Sequence, residues 1–225
     1  GVDIGANTLT LLGGGTLSNT NAFVLNNADS LLSLDDTLTF GLLNVTANSN
    51  ANKGIAVNAS GTISNVSVSA DTSLNIADGM TLSGAAEIEE DATLTLSNTG
   101  TFGSELNLKG TVQADANQTV TGLISVGGDS TISIPDAGTT VSYSGGDINV
   151  GAYTLAIGGA GIFSNADESS LVLNVEDSIL DLSGTGIISG PLKLKSGKLK
   201  NSDSNKVSGD ITQYGNTTIE IDTDK

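Results

Sequence analysis

The chain has 225 residues, with 25 Asp and Glu against eight Lys, no Arg, His, Cys or Trp, and a formal charge of −17. Those absences exclude His/Cys metal sites, thiol nucleophiles, disulfides and Ser-His-Asp triads, and the acidity denies nucleic acid the basic face it needs. No apolar run is long enough for a spanning helix, and one domain over 1–225 is the simplest reading of the length.

Read from the start, short segments alternate apolar and polar residues: Leu9-Thr10-Leu11, Leu94-Thr95-Leu96, Ile132-Ser133-Ile134 and Ile219-Glu220-Ile221. A period of two means strand. Five segments share a longer signature, apolar at 0 and 2, Gly at 6 and apolar at 8. In chain order they are Leu9/Leu11/Gly15/Leu17, Ile55/Val57/Gly61/Ile63, Leu94/Leu96/Gly100/Phe102, Leu155/Ile157/Gly161/Phe163 and Leu180/Leu182/Gly186/Ile188. Weaker copies start at Leu32, Leu74, Val112, Ile132, Leu199 and Ile219, with Gly79 and Gly138 near the glycine position of two of them. Eleven starts between positions 9 and 219 give a mean spacing of about 21 residues. A third apolar cluster lies between copies: Val24, Leu43/Val45, Val66/Val68, Ile88, Leu106/Leu108, Ile124/Val126, Ile148/Val150, Leu171/Leu173, Leu192/Leu194 and Ile211.

Three short strands per repeat of this length predict an all-β, single-stranded parallel β-helix (β-solenoid) of about 11 coils, right-handed by the general preference of parallel crossovers. Gly between strands is expected to supply positive-φ corners, and the core is expected to be small aliphatics with little room for aromatics. A sandwich or up-and-down barrel would need repeated Asn-Gly or Asp-Gly hairpins, and only Asp78-Gly79 is present.

The runs NTLTLLGGGTLSN (7–19), ATLTLSNTGTF (92–102) and LDLSGTGIISG (180–190) resemble passenger and stalk regions of bacterial surface β-helix proteins, among them autotransporter adhesins and filamentous-haemagglutinin-like proteins. The resemblance covers the whole chain as a style of repeat. It implies an extracellular or cell-surface protein without cofactors. The C-terminal membrane barrel of autotransporters has no counterpart in the chain. The chain opens on Gly rather than Met, so a mature product or a segment of something longer is expected.

No catalytic residue is assigned. A polysaccharide lyase or hydrolase would need paired carboxylates in a sugar-lined cleft. The densest acidic run, Glu87-Ile88-Glu89-Glu90-Asp91, reads better as a solvated corner with Ile88 inward and Glu87 and Glu89 outward. Gly127-Gly128-Asp129 and Gly145-Gly146-Asp147 lack the fourth-position Gly of Ca²⁺ β-roll repeats, which leaves Asp129 and Asp147 as weak Ca²⁺ candidates. Thr-x-Thr rows capable of ordering ice read as mixed along the first strand of the repeat. The count of Asn-x-Ser/Thr matches chance.

Two features point to assembly. Lys193, Lys195, Lys198, Lys200 and Lys206 fall within 14 residues of a chain that is otherwise acidic. The repeat also runs from Leu9 to Ile221 with no capping helix visible at either end. The expected function is therefore a non-enzymatic extracellular rod of about 50 Å, at about 4.8 Å per coil. Its ends stack head-to-tail through Leu9, Leu11, Leu17, Val207, Ile211, Ile219, Ile221 and the lysine cluster, or are continued by further repeats. The alternative is a ligand-binding adhesin segment that takes a host or matrix glycan, with loops in the longer intervals from Leu9 to Ile55 and from Leu155 to Leu180.

Overall fold

A computed structural model describes residues 1–17, 22–36, 38–40, 44–47, 49–201 and 206–221. These residues form thirty strands and no helix. All observed strand pairings are parallel, and each strand pairs with its counterpart about one repeat away, which makes the molecule a parallel β-solenoid.

One sheet holds the first strand of every repeat: Thr8–Leu11, Leu31–Leu34, Ala51–Val57, Thr72–Ile76, Thr93–Leu96, Thr111–Ala114, Ser130–Ile134, Thr154–Gly159, Ile179–Gly184, Lys198–Asn201 and Thr218–Ile221. This is the first face. The second face begins at Gly15–Leu17 and ends at Lys206–Val207. The third runs from Val2–Asp3 to Ile124–Val126, and continues in a separate four-stranded sheet from Ile148–Asn149 to Ile211–Gln213. Second and third faces belong to one sheet because Gly61–Val68 and Thr81–Ile88 bend through the corner without a break.

Alternation on each strand sends one set of side chains inward, where they stack into ladders and form one continuous core. Leu9, Leu32, Ile55 and Leu74 make one ladder, Leu94, Val112 and Ile132 another, and Leu155, Leu180, Leu199 and Ile219 a third. At the two joins between them the register departs from the alignment of repeat starts. Leu74 pairs with Leu96 and Ile132 with Ile157, so Thr72 faces Leu94 and Ser130 faces Leu155. Thr72 and Ser130 are buried, inward-pointing polar residues. A slip of two residues leaves every side chain on its own face, so apolar periodicity cannot detect it.

The signature glycines also work differently from expectation. Gly100, Gly161 and Gly186 are not at positive φ. They are excluded from carrying a Cβ by the coil beneath: it would overlap Ile76 at Gly100, Ile134 at Gly161 and the Gly161 carbonyl at Gly186. The third-face cluster holds except that Val24 is flanked by the inward residues Phe23 and Leu25, and that Leu43 lies outside the described residues. The core also takes aromatics. Phe23, Phe102, Tyr143 and Phe163 are buried, and the Tyr143 and Phe163 rings stack at 6.2 Å and 24°. Each ring occupies one rung of a ladder with a smaller side chain on either side: Phe102 between Leu82 and Val120, Tyr143 between Val120 and Asn165, and Phe163 between Val141 and Ile188.

Candidate functional site

Corners organise the charged residues. The turns 27–30, 77–80, 89–92, 136–139, 166–169 and 175–178 are each closed by a backbone hydrogen bond from the fourth residue to the first. Asp or Glu occupies interior positions in five of them, and Asp136 opens the sixth, because a corner faces water and tolerates short polar residues. The acidic run 87–91 follows this rule. Ile88 is buried, and Glu87 and Glu89 point outward to Lys109 at 2.6 and 3.3 Å. The two carboxylates hold the Lys109 ammonium above its ordinary pKa. Asp91 occupies the left-handed turn position at φ 62°. The interval from Leu155 to Leu180 is taken up by two of these closed turns; part of the interval from Leu9 to Ile55 lies outside the described residues.

Where the backbone ladder breaks at a corner, side chains of the adjacent coil replace it. Asp71 accepts the Thr93 N–H at 2.9 Å, Asn117 that of Thr140 at 2.8 Å, and Asn174 that of Gly151 at 3.1 Å. The weak Ca²⁺ candidates belong to the same system. Asp129 accepts the Thr154 N–H at 2.8 Å and Asp147 the Ser170 N–H at 2.9 Å. They stand at different corners, Asp129 before a first-face strand and Asp147 before a third-face strand. Among the described residues no group of three acidic side chains is placed to share a metal ion. Sequence reading missed this inter-coil role; for Asp71, Asn117, Asp129 and Asp147 a position just before a strand was the available signal, whereas Asn174 follows one.

Burial pushes the Asp147 carboxyl up, but the Ser170 N–H and the Lys193 ammonium outweigh it and hold its pKa below the ordinary 3.8. A depressed carboxyl stabilises the fold above its unfolded-state pKa and loses that contribution as pH falls through the folded value. The melting temperature of Asp147→Asn therefore lies below that of the parent chain at pH 5–7, and the gap closes below about pH 4. A gap that persists unchanged at pH 2 contradicts this linkage.

The lysine cluster is partly spent within the molecule. Lys193 reaches back to Asp147 at 3.2 Å, Lys200 meets Asp181 at 3.1 Å and Lys198 meets Glu220 at 3.0 Å. These pairs are solvent-facing, where an ion pair is worth about 0–1 kcal/mol, so they remain open to exchange. Lys195 is exposed, and the Lys206 side chain lies outside the described residues.

The ends of the described stack carry the remaining assembly candidates. Ile211 continues the Leu192 ladder, Ile219 the Leu199 ladder and Ile221 the Asn201 rung. They point inward, yet are 48, 54 and 64% exposed, because no described coil lies above them. At the other end Val2, on the Phe23 ladder, is 42% exposed, and Leu9, Leu11 and Leu17 are half-buried. Val207 is half-buried as well. Each end thus presents open apolar rungs and an unpaired strand edge, the two features that parallel stacking consumes. No family model, curated protein or solved structure matches the chain.

Proposed function

We propose that this chain is a non-enzymatic structural rod that works outside the cell and associates end to end with its own kind. The observation that carries the reading is the exposure of Ile211, Ile219 and Ile221 on ladders that are otherwise buried. Charge supports it. The first 36 residues hold four Asp and no Lys, while 192–225 hold six of the eight Lys against five acids, so an acidic end meets one that is close to neutral and richest in Lys although the whole chain is acidic. A heterologous contact of this kind does not close on itself and propagates into a filament. The extracellular placement rests on the repeat style, which resembles that of bacterial surface β-helix proteins.

Analytical ultracentrifugation and negative-stain microscopy of the 225-residue chain test the proposal. Rods in multiples of about 50 Å are expected at high concentration. Ile219→Lys with Ile221→Lys removes them without changing the β-sheet circular dichroism, since both residues are already exposed. Monodisperse monomers of the parent chain at every concentration overturn the reading.

A further inference from the structure

We infer a specific joint, resting on the end-to-end reading: Thr218–Ile221 of one copy pairs in parallel with Thr8–Leu11 of a second copy, Ile219 under Leu9 and Ile221 under Leu11. The partner surface is thus the first coil of the same chain. Three observations select this register.

First, the faces fall in step. Continuing the inward columns seats Val2 of the second copy on Ile211 and Leu9 on Ile219. The corner from Val2 to Leu9 is seven residues and that from Ile211 to Ile219 is eight, so the coils superpose with no inserted loop. Both lead from the third face to the first, in the same chain direction. A head-to-head contact would instead set these edges antiparallel.

Second, the outward columns meet without like charges. The column Asp181, Lys200, Glu220 alternates in sign and would continue into the hydroxyl of Thr10. Thr218 would continue into Thr8.

Third, Asp3 of the second copy lands on Thr212, in the column that holds Lys193. That is two coils above Lys193. Lys193 already spans two coils in the other direction to reach Asp147, 46 residues away. The joint thereby offers Lys193 a second carboxylate.

The chain has no Cys, so introduced thiols report the register directly. Neighbours across a parallel ladder have Cα atoms about 4.8 Å apart, within disulfide reach, whereas positions one step off on the same face are roughly 8 Å apart and beyond it. The double variant Thr10→Cys/Glu220→Cys, oxidised as assembled rods, is expected to give a ladder of covalent multimers on a non-reducing gel. Thr8→Cys/Glu220→Cys is expected to give at least tenfold less. Preferential linking of the second pair overturns the register while leaving end-to-end association intact. Sedimenting rods with no linking in either pair also overturn the joint. Absence of both rods and links removes the end-to-end reading itself.

Discussion

Replacing Gly84 by Ala lowers the stability of the solenoid by more than about 3 kcal/mol, whereas the same change at Gly79 costs about 1–2 kcal/mol. Both glycines sit at positive φ, +124° at Gly84 and +72° at Gly79. They differ in surroundings. Gly79 lies in an exposed turn, and a Cβ there would meet nothing within 4 Å. Only the backbone preference of an L-residue is lost. Gly84 lies at the bend of Thr81–Ile88, where the strand passes from the second face to the third. A Cβ at Gly84 would fall on the Ile63 carbonyl oxygen of the coil beneath, and a backbone oxygen inside a ladder cannot step aside. Relief requires separating two coils at a corner, with loss of neighbouring pairings at Leu82 and Ala86. Thermal melts of the two variants followed by circular dichroism decide the matter. Equal losses at the two positions contradict the close-packing account.

Phe163→Ala is expected to cost about 3–5 kcal/mol. Phe163 is fully buried, stacks on Tyr143 and occupies a ladder rung between Val141 and Ile188. It also borders a small apolar void of about 20 Å³ shared with Phe102, Leu106, Val112 and Val120. Removing the ring merges its volume with that void. The strands around it are fixed by pairing on both sides, so the walls cannot collapse to refill the space. Tyr143 ties the same region to the third face. Its hydroxyl accepts the Ile124 N–H at 3.3 Å, where pairing between Ile124–Val126 and the next third-face strand is interrupted. Burial raises the Tyr143 pKa, the Ile124 N–H opposes the rise, and the Asp147 charge adds to it, so the phenol stays neutral and serves the contact. Denaturant titration of Phe163→Ala measures the loss; a change below about 1 kcal/mol means that the core relaxes around the void.

The elements of the solenoid were legible because each repeat writes its in-and-out pattern locally. Leu94-Thr95-Leu96 or Leu180-Asp181-Leu182 needs no partner to declare which residues point inward, and the observed burial agrees. Glu87, Ile88 and Glu89 were read correctly for the same reason. Of the buried rings, Phe102 and Phe163 stood in the repeat signature, whereas Phe23 and Tyr143 did not, because low aromatic content says nothing of where the few rings go. At the candidate site, the apolar residues Ile211, Ile219 and Ile221 stood out in the sequence as ladder members. The pairing of Lys193 with Asp147 did not, since it joins residues two coils apart.

What the sequence determined by itself is the solenoid: strand alternation, three faces and a repeat near 21 residues. These follow from a period of two and from small residues between strands, both local properties. Only the tertiary structure decided the register, the task of each glycine and the exposure of the ends. Leu74 lies beside Leu96 rather than Leu94 because a two-residue slip costs nothing in the alternation, and the fit of corners chooses between registers. Gly100 must be Gly because Ile76 of the coil beneath fills the space of its Cβ, and Gly79 because the chain turns there. Ile219 carries the same pattern as Leu199 and differs only in having no described coil above it. In a fold built by stacking, sequence tells which side of a strand is wet, and neighbours tell whether it is covered.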